Sequence, residues 1–221
     1  SNFPAKLSFR LMCLSPPDKT EGLSFFTGCL ILILMERIKI LNPFNNSPVY
    51  HFTETTSTME EARKLIPLGP PTGTVLWADF QSAGRGRGRG RSWQSEPGKN
   101  LLFTLIYRKE DFPYSAQLFP LLSGLGIALF CREQNISAKI KWPNDVLWQG
   151  RKLAGILCEA AEKYLLAGIG INCGQDSFYG PLRRPPGSLS FLKNEDVKPE
   201  SILPCLLNKL KEAFTEPDWK E

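Results

Sequence analysis

From Gln81 to Trp93 the chain reads Gln-Ser-Ala-Gly-Arg-Gly-Arg-Gly-Arg-Gly-Arg-Ser-Trp, four arginines alternating with four glycines. Arginine offers a planar fork of donors suited to phosphate or carboxylate, and glycine lets the backbone approach a ligand closely, so the segment reads as a loop shaped to hold an anion. Arg-Gly repeats also occur in RNA-binding tails and in solvated charge runs, but such tails are long, and here the alternation stops after eight residues. A second polar group is Lys141-Trp-Pro-Asn-Asp145, followed by Arg151-Lys-Leu-Ala-Gly-Ile-Leu157. It reads as a proline-bent strand end and a hairpin with Lys152 at its return, although a lysine and an aspartate on adjacent strands most often form a surface ion pair. In Gly168-Ile-Gly-Ile-Asn172 small residues alternate with isoleucine, leaving one face of a strand open to a flat ligand.

The elements that must position these residues follow from periodicity. Thr74–Phe80 and Asn100–Arg108, rich in β-formers, are expected as strands flanking the basic loop. Ser57–Ile66 opens with N-capping residue types and puts Met59, Ala62, Leu65 and Ile66 on one helical face, and Pro67–Gly73 then forces a turn. A longer helix is expected over Ser115–Glu133, with Leu118, Leu121, Leu122, Leu125 and Leu129 at helical spacing and Pro120 near its start. Strands follow at about Ala138–Trp142, Lys152–Ala161 and Lys163–Cys173. A last amphipathic helix over Ser201–Phe214 carries Leu203, Leu206, Leu207, Leu210 and Phe214. Grouped strands with helices to one side predict an α+β layer fold.

The 221 residues can bury a sizeable core and suggest one domain, and the net charge of +5 suits an anionic small ligand or an acidic partner better than a DNA surface. Six cysteines (Cys13, Cys29, Cys131, Cys158, Cys173, Cys205) include no Cys-x-x-Cys pair, and His51 is the single histidine. This excludes a zinc site and a disulfide framework as expectations and reads the cysteines as small buried hydrophobes. The apolar run Leu23–Met35 is shorter than the ~20 residues of a membrane span and shows no cleavage site, so it is read as a buried strand and the compartment as cytoplasm.

In order along the chain, Thr56-Ser-Thr-Met59, Gln81 with the Gly-Arg loop and Trp93, Ser95-Glu-Pro-Gly-Lys-Asn100, Lys141–Asp145, Arg151–Leu157 and Gly168–Asn172 resemble the catalytic domain of biotin protein ligases over about Val49 to Phe214. The resemblance implies an α+β fold with a mixed or antiparallel sheet flanked by helices, like that of class II aminoacyl-tRNA synthetases. It also implies a two-step reaction: biotin and ATP give biotinyl-5′-AMP and pyrophosphate with the help of Mg²⁺, and a lysine of a biotin carboxyl carrier protein is then acylated. Ser57, Thr58 and Gln81 would bind the ureido end of biotin, with Gly84, Arg85 and Lys152 at its carboxylate and Gly155, Gly168 and Gly170 along its ring and tail. Arg87, Arg89, Arg91, Lys141 and Asn144 would serve ATP and the adenylate, Trp93 would cover the adenine side, and Asn172 would read adenine. Lys152, Arg85, Arg87 and Asp145 would form the catalytic group, Asp145 supporting Mg²⁺ or Lys152.

The chain departs from the family pattern in three respects. The loop is one residue longer than the usual Gly-Arg-Gly-Arg-x-Gly-Arg form, with Gly88 as the insertion. Nothing in residues 1–48, read as an N-terminal arm, resembles a helix-turn-helix, so DNA binding is not expected. The catalytic domain, residues 49–221, ends where many relatives continue into an SH3-like barrel. A monomer or weak homodimer without membrane contact is expected. The alternatives are a lipoate ligase or octanoyltransferase of the same fold, for which a lone His51 is a poor fit, and an RNA-binding protein using the Arg-Gly loop.

Overall fold

The computed structural model describes residues 35–88, 90–175, 177–179 and 184–217. Eight strands form one sheet in the order β1-β2-β3-β4-β8-β7-β6-β5. In chain order these are β1 (Glu36–Ile38), β2 (Val49–Thr55), β3 (Thr74–Gln81), β4 (Asn100–Arg108), β5 (Lys139–Lys141), β6 (Asp145–Trp148), β7 (Arg151–Ala161) and β8 (Tyr164–Asn172). All neighbours are antiparallel except β2 and β3, which run parallel with Val49 opposite Val75. A parallel pair needs a crossover, and helix α1 (Thr58–Leu65) supplies it.

The central strands alternate between two cores. From β3, β4 and β8, Val75, Trp77, Leu101, Phe103, Leu105, Leu165, Ile169 and Ile171 point to a core shared with helices α2 (Phe119–Glu133) and α4 (Pro199–Thr215). Their neighbours Leu76, Ala78, Ile106, Tyr164 and Leu166 point the other way, to a smaller core closed by Met59, Ala62 and Leu65 of α1. The expectation of helices on one side is therefore corrected. Helical periodicity identifies the apolar stripe of α1 but not the sheet face that receives it.

In the larger core, Leu203, Leu206, Leu207, Leu210 and Phe214 of α4 are all fully buried. Gly126 of α2 lets the two helices meet, since a Cβ there would lie 2.8 Å from Leu210 Cα. On α2 itself, Leu122 and Leu129 are buried while Leu121 and Leu125 are half-buried, as is Leu118 in the turn before it. Helix α2 starts at Phe119 after a short 3-10 turn, with Pro120 in its first turn, where no amide donor is needed. A short helix α3 (Leu189–Lys193) precedes α4, and its N-cap Ser188 accepts from Phe191 N.

Strand β6 is the outgoing arm of the hairpin expected to return at Lys152, but its bounds were not expected from the sequence, because four residues carry no readable alternation. The apolar segment Leu23–Met35 lies outside the described residues apart from Met35, which is buried and stands just before β1. Among the described residues no helix is long and apolar enough to cross a membrane. Burial pushes the thiols of Cys131, Cys158 and Cys173 up to about 12 and that of Cys205 to about 11, so these four are poor nucleophiles, while Cys13 and Cys29 lie outside the described residues.

Candidate active site

Beyond the N-terminus of α1, on the same sheet face, β7 and β8 lose their side chains. Gly155 stands opposite Gly170 and Leu157 opposite Gly168, which leaves a trough. Its neighbours are close enough that only glycine fits. A Cβ on Gly168 would come within 2.9 Å of Met59 Cγ, and one on Gly155 or Gly170 within 2.6 Å of the Trp93 indole. With that indole in place the enclosed space is about 50 Å³. This holds a few waters, whereas small-molecule sites run to ~300 Å³ or more.

Polar groups close the α1 end of the trough. Ser57 is the N-cap residue, yet its hydroxyl makes no capping bond. Gln81, at the end of β3, does that work from a distance: its Oε1 accepts from Thr58 N at 2.7 Å and from Thr58 Oγ1 at 3.1 Å. Behind them the buried Thr104 of β4 donates to Thr58 Oγ1 at 2.9 Å. Sequence reasoning missed Thr104. The available signal was one hydroxyl inside the apolar run Leu101–Ile106.

The arginine loop continues β3 as a small hairpin. Trp93 N donates to Gly84 O and Gly86 N to Arg91 O, each at 2.8 Å, and Arg85 bridges Ser92. Gly88 and Gly90 near its tip have φ of +103° and +71°, conformations that favour glycine. Gly84 thus packs against Trp93 O in the hairpin and does not line the trough, contrary to expectation. Arg85 lines the trough but spends its guanidinium on Glu60 of α1 at 2.5 Å, beside the Glu60–Arg63 pair. Arg87 and Arg91 are exposed and face a broad groove of about 1190 Å³, together with Lys141, Asn144, Asp145 and Arg184. Arg89 lies outside the described residues.

Lys152, near the start of β7, borders three spaces at once: the trough, the basic groove, and a cleft walled by Trp93, Phe178 and Pro186. Its ammonium sits 2.8 Å from Asp145 Oδ1 on β6, an ion pair without hydrogen-bond geometry, and 5.2 Å from the centroid of the Trp93 ring. A bulge at Leu153 of β7, against the Val146–Leu147 step of β6, sets this register, with Leu147 rather than Trp148 opposite Lys152.

In the cleft, Asn172 Nδ2 donates to Lys152 O at 3.1 Å and to Gly187 O at 3.0 Å, which leaves its buried Oδ1 without a partner. Trp93 Nε1 and Ser95 Oγ are likewise buried and unpaired. Each such atom costs about 1–3 kcal/mol unless a ligand satisfies it. Trp93, expected only at the adenine side, borders this cleft and also fills the trough over Gly155 and Gly170.

Ser57, Thr58, Gln81, Arg85, Arg87, Trp93, Asn144, Lys152, Gly155, Gly168 and Gly170 thus line one cavity, although they come from five separate stretches of sequence. His51 pairs with Asp79 at 2.9 Å beside Trp77 and borders none of these spaces. Among the described residues no three His, Cys, Asp or Glu side chains gather as a metal site. With Asp145 already held by Lys152, the residues do not fit a protein-built magnesium centre.

A bifunctional ligase/repressor BirA of Bacillus subtilis is 34% identical over 167 residues, covering 72% of this chain and 51% of that protein. A biotin--[acetyl-CoA-carboxylase] ligase of Paracoccus denitrificans is 37% identical, covering 69% of this chain and 67% of the relative. Among solved structures, the biotin protein ligase from Aquifex aeolicus in complex with biotin and ATP superposes with a TM-score of 0.67 at 31% identity, covering 76% of this chain and 70% of that one. The chain spans about half the length of the Bacillus relatives it matches. Residues 49–176, which hold every strand from β2 to β8 and the whole lining of the trough, match the biotin/lipoate A/B protein ligase family, and the chain belongs to it.

Proposed function

We propose that the protein activates biotin with ATP and transfers it to a lysine of a biotin carboxyl carrier protein, such as that of acetyl-CoA carboxylase. The observation that carries this reading is the position of Lys152, among the described residues the one cation common to a trough with a polar floor, a cleft with an unsatisfied amide oxygen, and a basic groove. A biotin carboxylate at the open end of the trough would meet an α-phosphate beside Lys152, with adenine against Asn172 and the β- and γ-phosphates among Arg87, Arg91 and Lys141. The relatives named as biotin ligases and the Aquifex complex with biotin and ATP support the assignment of ligands.

In the first step a carboxylate oxygen attacks the α-phosphorus and the bond to the bridging oxygen breaks, releasing pyrophosphate. In the second, the carrier amine attacks the acyl carbonyl, AMP leaves with the bonding pair, and the amine loses a proton. Anion is brought against anion in the first step, so fixed cations are the main catalytic resource. Magnesium would arrive with the nucleotide, and no step is assigned to a protein-held ion. The four described cysteines are free thiols, which suits the reducing cytoplasm as the compartment.

Single-turnover incubation with biotin and ATP, read by mass detection of biotinyl-5′-AMP, tests the reading. Lipoate or octanoate in place of biotin tests the other branch of the family, and RNA binding tests the Arg-Gly alternative. Adenylate from lipoate but not from biotin would overturn the proposal.

A further inference from the structure

Thr104 is fully buried in β4, and its hydroxyl begins a relay with a fixed direction. The Thr58 amide can only donate, so the atom it meets at 2.7 Å must be the oxygen of the Gln81 amide and not the nitrogen. The Thr58 hydroxyl donates to the same oxygen. Gln81 Nε2 and its two protons are therefore turned away from Thr58, toward Gly84, whose added Cβ would lie 3.4 Å from that nitrogen. Because Thr104 donates to Thr58 Oγ1, that oxygen spends its proton on Gln81 and one lone pair on Thr104, which leaves one lone pair for the trough. Thr58 thus offers the trough one hydroxyl acceptor, and Gln81, which also lines the trough, carries its amide donors on the side away from Thr58. A cyclic urea, a carbonyl oxygen flanked by N–H groups, is the complement of that pattern; a saturated acyl chain or a dithiolane ring is not.

We propose that Thr104 is a positioning residue for the urea head of the ligand: it touches no ligand, yet it holds the Thr58 hydroxyl in register and so keeps the donor and acceptor pattern of the floor. The inference rests on the biotin reading. Without the Thr104 hydroxyl, Thr58 Oγ1 loses its donor and its rotamer is no longer held, so the floor no longer presents a single pattern.

The test compares wild type, Thr104→Val, Thr104→Ser, Thr58→Val and the double variant Thr58→Val/Thr104→Val in biotin calorimetry and steady-state adenylation. Thr104→Val should raise the KM for biotin about five- to tenfold, the loss of one hydrogen bond, with kcat and the KM for ATP within about twofold. Thr104→Ser should restore the biotin KM. The double variant should bind biotin no more weakly than Thr58→Val alone, because Thr104 acts through Thr58. An unchanged biotin KM in Thr104→Val, an equal rise in the ATP KM, or additive losses in the double variant would each overturn the assignment. Wild type that binds no biotin in the same calorimeter would sink the biotin reading itself, before any variant is considered.

Discussion

The sheet face under α1 has two ends built from the same strands. At one end Tyr164 and Leu166 of β8, with Ile106 and Leu76, are covered by Met59, Ala62 and Leu65. At the other, β8 and β7 present Gly168, Gly170 and Gly155, and the indole of Trp93 lies over the last two, with the Lys152 side chain beside it at Gly155. On the opposite face of β8 nothing changes: Leu165, Ala167, Ile169 and Ile171 stay in the larger core from end to end. The strand keeps its alternation where it must fold and gives up side chains on one face, over four residues, where a ligand has to lie flat. Stability and recognition are thereby separated along one element, as the burial of apolar surface under α1 stops where the trough begins.

That separation can be broken by crossing variants. The largest effect is expected for Lys152→Ala at the ligand end, which should slow adenylate formation by ~10² or more, since one preorganised charge at a developing transition state is worth about 3 kcal/mol. Its thermal midpoint should hardly move, because the ammonium is part-exposed in its pair with Asp145. A rate near that of wild type would remove Lys152 from the chemistry. Leu166→Ala at the core end should do the reverse, with a loss of about 2–5 kcal/mol in denaturant unfolding and an unchanged KM for biotin in the folded fraction.

Gly170→Ala sharpens the boundary between the two ends. Its methyl would meet the indole at 2.6 Å, so biotin affinity should fall about tenfold, while stability changes by less than about 1 kcal/mol if Trp93 can swing outward. A large loss of stability would instead make the glycine end part of the fold's own packing. The smallest effect is expected for deletion of Gly88. It lies at the tip beyond the Gly86–Arg91 hydrogen bond, and its carbonyl accepts only a long 3.5 Å bond from Arg91 N, so biotinyl-AMP synthesis should stay within a few fold of wild type. A hundredfold loss, read in the same assay, would show that the longer tip positions a phosphate ligand.

Much of this was legible before any coordinates. Their wealth of β-formers marked β3 and β4 to within a residue, and the leucine stripe of α4 marked a face that is wholly buried. Gly168-Ile-Gly-Ile announced a strand with one bare face, and Lys152 with Asp145 was readable as a pair on adjacent strands. What stayed hidden depended on contacts between segments far apart in the chain. Arg85 reaches Glu60 across 25 residues, Gln81 caps a helix that begins 23 residues before it, and Thr104 completes that network from another strand. The position of Trp93 was half legible: the resemblance implied a cover for the adenine side, but only the glycines opposite it reveal that it also covers the trough.

Trp93 has a thermodynamic consequence as well. By lying on Gly155 and Gly170 it makes the protein its own competitor, an internal ligand present at a fixed effective concentration that no dilution removes. The dissociation constant of any ring that displaces it is the intrinsic value divided by the fraction of molecules with the indole withdrawn. Every ~1.4 kcal/mol by which the indole prefers the trough weakens the observed affinity tenfold. Part of the specificity of the site is therefore written in how tightly an aromatic side chain holds a place that it must give up.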